Sequence, residues 1–110
     1  MIRELLKGFE FATKLADYRE GQPVLLQCFS ISCPSCSEST CRMAEFCKKF
    51  PGVYVVGASA DEDLEGVARM VARVPKMSEF NVAADQKQAL NSFLELHHTI
   101  PKPCAFLFDS

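Results

Sequence analysis

The chain has no tryptophan and only two histidines. It has no Lys/Arg-rich run, and its formal net charge is −2, so no basic surface for nucleic acid is expected. Nor does it hold an apolar stretch of the roughly 20 residues needed to span a bilayer as a helix. The opening MIRELLKGFEF interrupts its apolar residues with Glu4 and Glu10, which excludes the unbroken apolar block of a signal peptide in this segment. A cytoplasmic protein is the expectation, or an exported one if a signal was removed ahead of residue 1. Repeats, low-complexity tracts and linkers are absent, and 110 residues suit one domain, 1–110, with one modest core.

Cysteine is abundant. Cys33, Cys36, Cys41 and Cys47 cluster, while Cys28 and Cys104 fall inside strand-like apolar runs. A framework of small stapled loops would not carry such long helical and strand patterns, so mostly reduced thiols are expected.

Ile2, Leu5, Leu6, Phe9, Ala12 and Ala16 recur at helical spacing and predict a helix over 2–19, stopped by Gly21 and Pro23. VLLQCF (24–29) and VYVVGAS (53–59) read as buried strands. Between them a helix runs from the CPSC turn to about Phe50, with Met43, Cys47 and Phe50 on one face. Asp61, Glu62 and Asp63 favour a helix start against the positive end of the dipole, and Leu64, Val67, Ala68 and Val71 form its inner stripe. FNVAAD (80–85) is a short candidate strand. Asp85 and Gln88 have the spacing of a capping box ahead of a helix carrying Ala89, Leu90, Phe93 and Leu94. CAFLFD (104–109) is a last strand. Such alternation predicts an α/β fold with a parallel sheet at its centre and helices on both faces.

The chemistry concentrates at Cys33-Pro34-Ser35-Cys36. A pair after a strand and opening a helix reads as a redox couple. Unpaired N–H groups and the dipole at a helix start favour a thiolate and can lower its pKa from about 8.5 to roughly 3.5–7.5. Pro34 fits a first helical turn, where its missing N–H costs nothing. A zinc site would need four ligands, commonly two close pairs. No second CxxC exists, Cys41 and Cys47 lie on the same predicted rigid helix, and adjacent histidines such as His97 and His98 tend to point in different directions. No metal is therefore expected. Cys28, Cys41 and Cys47 read as small buried hydrophobes, and the two histidines as surface or helix-end residues.

Taken together, PVLLQCFSISCPSC, VYVVGASADEDLEGVARMV and FNVAADQKQALNSFLELHHTIPKPCAFLFDS resemble the thioredoxin-like superfamily, and within it the TlpA-type redoxins, thiol–disulfide oxidoreductases related to the peroxiredoxins. The resemblance runs from about Gln22 to the end. It implies a thioredoxin-like three-layer α/β/α sandwich, without the C-terminal strand and helix that family members carry beyond the position of Ser110. It implies Cys33 as nucleophile and Cys36 as resolving thiol, with no metal or organic cofactor. Pro103 takes the place of the proline facing the disulfide, since the six-residue step to Asp109 fits the family better than that from Pro101. Lys102 would offer its backbone to an extended substrate, with Pro34 and Ser35 beside it. The implied partners are protein disulfides and a redox protein that resets the pair, acting on a monomer.

Departures are visible too. Ser32 replaces the tryptophan that usually precedes the first cysteine, which removes a docking platform. Gln27 stands where a carboxylate or Asn is usual and cannot accept a proton, so proton transfer would need water or Glu38. Cys104 replaces a common Thr, and reads first as a wall of the pocket and second as a third redox thiol. Two other functions are weighed: a thioredoxin-fold binding module without turnover, and a peroxidase, disfavoured because VLLQCFSIS lacks the Pro and Thr that would hold a peroxide.

Overall fold

A computed structural model describes residues 2–30, 36–95 and 104–108, with Cys36 and Ser37 described as backbone. The elements in chain order are helix α1 (Ile2–Lys7), strands β1 (Glu10–Thr13) and β2 (Val24–Cys28), helix α2 (Cys36–Lys49), strand β3 (Tyr54–Ser59), helix α3 (Leu64–Arg73), a 3-10 turn (Pro75–Glu79), strand β4 (Asn81–Ala84), helix α4 (Ala89–Phe93) and strand β5 (Cys104–Phe108). They form one five-stranded sheet in the order β1-β4-β3-β2-β5. β2, β3 and β4 are parallel, and β1 and β5 run antiparallel along the two edges. No helix among the described residues is long and apolar enough to cross a membrane.

The three central strands fall within the runs that read as strands in the sequence, of which β3 is the β-branched one. Every residue of β3 and β4 is buried, as expected of strands covered on both faces. Alternation along β3 divides the core. Tyr54, Val56 and Ala58 face a cluster with Leu5, Leu6 and Leu90 from α1 and α4. Val55 faces a second cluster with Met43, Val67, Met70 and Phe80, built from α2, α3 and the 3-10 turn. The result is the expected three-layer α/β/α arrangement.

The N-terminal segment departs from expectation. The helix predicted over 2–19 ends at Lys7, and Glu10–Thr13 leaves it to form an edge strand. Gly8 marks the break. A Cβ there would lie 2.6 Å from the Ala89 Cβ, so only glycine lets the end of α1 approach α4 this closely. Beyond it β1 pairs with β4, with a register irregularity between Phe11 and Thr13. The Thr13 hydroxyl repairs the ladder: it donates to the Phe80 carbonyl at 2.7 Å and accepts from the Val82 N–H at 2.9 Å. Asn81, 4% exposed, fixes the following loop. Its side chain donates to the Val55 carbonyl and accepts from the Leu15 N–H, both at 2.7 Å.

Helix α3 starts as the acidic run implies. Asp63 is its N-cap, with Oδ1 accepting from the Gly66 N–H at 2.8 Å. Its inner stripe differs by one position: Ala68 is exposed and Met70 is buried beside Val67. Helix α2 is tied to the 3-10 turn by Lys48 Nζ, 2.8 Å from Glu79 Oε1. That ion pair holds the Glu79 carboxyl below the ordinary carboxylate range.

The Asp85–Gln88 capping box does not form. Gln88 adopts a left-handed conformation (φ 53°, ψ 45°) ahead of α4 and makes no side-chain cap. Asp85 alone reaches the helix, Oδ1 accepting from Ala89 N–H at 2.7 Å and Oδ2 from Leu90 N–H at 3.1 Å. The side chain is 3% exposed. Burial pushes its carboxyl above the ordinary value, and the two backbone bonds offset part of that rise. Between the unfolded pKa of about 4 and the raised folded value the native state binds more protons than the unfolded chain, so stability falls as pH rises through that window. Asp85→Asn removes this slope. In urea titrations across a pH series, the stability of the wild type minus that of Asp85→Asn should decline as pH rises from about 4 and level off above the folded pKa. A difference that grows with pH would show a carboxylate stabilised by its hydrogen bonds instead.

Candidate functional site

Parallel strand β2 delivers the chain to the candidate site. It ends at Cys28, and the Phe29 N–H still donates to the Ala58 carbonyl of β3 at 3.0 Å. Phe29 and Ser30 are buried. Helix α2 then begins at Cys36 and runs 14 residues. Residues 31–35 separate the described end of that strand segment from the helix in sequence. Cys33, Pro34 and Ser35 lie outside the described residues, as do Lys102, Pro103, Pro101, His97 and His98.

A groove of about 340 Å³ runs between α2 and the β2–β5 side of the sheet. Leu25, Gln27, Met43, Phe46, Cys104 and Ala105 are among its walls. Gln27 and Cys104, brought from positions far apart in sequence, both border this depression, while the Cys104 side chain packs on the opposite face of the sheet, toward Cys28. Gln27 is 8% exposed and pairs in register with Ala105. Glu38, in the first turn of α2, is exposed and bound to Arg42, with Oε1 2.6 Å from the guanidinium. Its carboxylate lies along the outer surface of the helix.

Among the described side chains, Cys28, Cys41, Cys47 and Cys104 are thiols. Cys28 is buried, as expected. Cys41 is exposed and Cys47 half-buried, which corrects the reading of both as core residues. The reason is helical phase: Met43 and Ala44 occupy the inward positions of α2. Burial pushes the Cys47 thiol above its ordinary pKa, making it a poor nucleophile near neutral pH. The described residues hold no cluster of three or more His, Cys, Asp or Glu suited to a metal ion.

Sequence reasoning missed the facing of Cys28 and Cys104 across β2 and β5. Both were recognised as lying in apolar strands, but their juxtaposition depends on a register that no local signal specifies.

Solved structures share this architecture. The N-terminal domain of PilB from Neisseria gonorrhoeae superposes with a TM-score of 0.73 at 15% identity, covering 96% of this chain and 74% of that one. StoA from Bacillus subtilis gives 0.67 at 21% identity, covering 92% and 78%. A putative thiol:disulfide interchange protein DsbE from Chlorobium tepidum gives 0.65 at 27% identity, covering 79% and 60%. The chain thus spans about three-fifths of the length of that last protein. No curated protein matches it. The fold is thioredoxin-like, and with residues 6–110 matching the AhpC/TSA family, the chain belongs to that family of redoxins.

Proposed function

We propose that residues 1–110 act as one thiol–disulfide oxidoreductase domain with Cys33 and Cys36 as its redox pair. The observation that carries this reading is the start of α2 at Cys36, at the C-terminal end of parallel strand β2. There the helix offers its unpaired N–H groups and the positive end of its dipole to a thiolate. Cys33, ahead of the helix, attacks a substrate disulfide. One substrate thiolate leaves and a mixed disulfide forms. Cys36 then attacks the Cys33 sulfur, the second substrate thiol leaves, and the chain retains a Cys33–Cys36 disulfide for a redox partner to reduce.

Lys102 and Pro103 immediately precede β5 in sequence, and Cys104, the first residue of β5, borders the groove with Gln27. They would hold an extended protein substrate against the pair, with Pro34 and Ser35 on the other side. Gln27 provides no base, and Glu38 is engaged by Arg42. Water in the groove would therefore carry the Cys36 proton. The chemistry uses neither metal nor organic cofactor.

Equilibration with glutathione buffers, followed by acid quenching and mass mapping, tests the pair. The expected product is a reversible Cys33–Cys36 disulfide. A potential near roughly −270 mV would mark a reductant, and one near about −120 mV an oxidant. Failure of that disulfide to form at any ratio of oxidised to reduced glutathione would end the reading.

A further inference from the structure

The register of the sheet brings two thiols outside the CPSC segment face to face. β5 runs antiparallel to β2, with Cys28 opposite Cys104, Leu26 opposite Phe106 and Val24 opposite Phe108. These pairs share one face. Cys28, Leu26 and Val24 belong to the cluster beneath α1 and α4, and Cys104, Phe106 and Phe108 pack against it. Directly opposed residues of an antiparallel ladder have Cα atoms about 4.5 or 5.5 Å apart. Both values lie within the roughly 4.4–6.8 Å that a disulfide spans. Cβ atoms of such opposed pairs are generally about 4.5–5.5 Å apart, against roughly 3.5–4.5 Å in a disulfide, so the two ranges meet at their limit. Cys47 packs on the opposite face of the sheet and Cys41 is exposed on α2. Neither competes for this position.

We propose that Cys28 and Cys104 are a second redox couple, a cross-strand dithiol that closes by exchange with a low-molecular-weight disulfide such as oxidised glutathione. Cys28 is 6% exposed and Cys104 is half-buried, so Cys104 is the entry thiol. Its thiolate attacks one sulfur of the small disulfide. That S–S bond breaks, a mixed disulfide forms on Cys104, and the first small thiolate leaves with the bonding pair and takes up a proton. The Cys28 thiolate then attacks the Cys104 sulfur and expels the second small thiolate, which is protonated in turn. Two protein thiols are oxidised, one small disulfide is reduced to two thiols, and the two cysteine protons end on those thiols. The bond so formed is reopened by the reverse exchange with excess small thiol. It would pin β5 to β2 one residue after Pro103. Neither Cys33 nor Cys36 takes part, so this couple stands or falls apart from the proposed catalysis.

The test uses the Cys33→Ser/Cys36→Ser double variant, equilibrated without denaturant in glutathione buffers, quenched in acid and alkylated. Under oxidising buffer Cys28 and Cys104 should lose labelling together, and peptide fragmentation should locate a Cys28–Cys104 link. Cys41 and Cys47 should not enter that link. Excess reduced glutathione should restore both labels. Adding Cys104→Ser, a half-buried change whose fold is checked by circular dichroism, should abolish the link, as should Cys28→Ala. Glutathione remaining on Cys104 without transfer to Cys28, no link under any buffer, or a link formed only in denaturant would each overturn the proposal.

Discussion

Cys36→Ser is expected to turn the chain into a disulfide trap. Cys33 still attacks a substrate disulfide, but the thiol that releases it is gone. Well-oriented intramolecular groups reach effective molarities of about 10⁵ M and above, so even a small part of that advantage outruns millimolar external thiol. Loss of the resolving thiol should slow turnover by on the order of a hundredfold or more. Mixed disulfides should then accumulate and survive acid quenching, non-reducing electrophoresis and mass spectrometry. Cys33→Ser should give neither turnover nor trapped species, as should the double variant. If Cys36→Ser captures nothing while Cys33 still alkylates readily, the thioredoxin-like frame serves as a binding surface and not as a catalyst. A peroxidase would separate from both outcomes by consuming hydroperoxide in a Cys33-dependent way.

Phe80→Ala should cost about 3–5 kcal/mol, the range for removing a large buried aromatic side chain. Phe80 is 1% exposed and sits in the cluster between the sheet and helices α2 and α3. Gly57 on β3 lies beside it, and a Cβ added there would meet Phe80 Cε2 at 3.1 Å. The ring therefore packs almost directly on the strand backbone, and its removal opens a void that fixed β-structure cannot collapse to fill. For a domain of typical stability, about 5–15 kcal/mol, that loss leaves little reserve. Urea titration at 25 °C measures it. A cost under about 1 kcal/mol would mean that the ring is not packed as described. The same contact predicts coupling: Gly57→Ala should be better tolerated in Phe80→Ala than in the wild type, because the missing ring vacates the space that the new methyl needs.

Much of the layered fold was legible in local signals. Runs such as VLLQC, YVVGAS and CAFLF are short, apolar and bounded by turn residues. Asp63 and Pro75 mark the limits of α3 on chemical grounds. The N-terminal misreading has a definite cause. Ile2 to Ala16 do match a helical period, but FEFAT is also an acceptable strand, and the choice between them is made by β4, about 70 residues away. Local periodicity cannot weigh a partner so distant. Ala68 and Met70 differ by two positions on one helix, and the stripe there turns on how α3 rotates against the sheet. At the site, the CPSC segment was conspicuous from its strand-then-helix setting. Away from the site, Thr13 and Asn81 were not, because each looks like an ordinary polar residue until the ladder that Thr13 repairs and the loop that Asn81 holds are known.

The sheet order also bears on how the chain is made. β1 leaves the ribosome well before its hydrogen-bonding neighbour β4, which begins at Asn81. At about 5–20 residues per second, the first 13 residues wait several seconds for that neighbour to be synthesised. Through that interval the apolar Phe9 and Phe11 have no strand to dock on, and the Thr13 hydroxyl has no ladder to mend. The nascent chain must keep β1 from finding another copy until β4 has emerged.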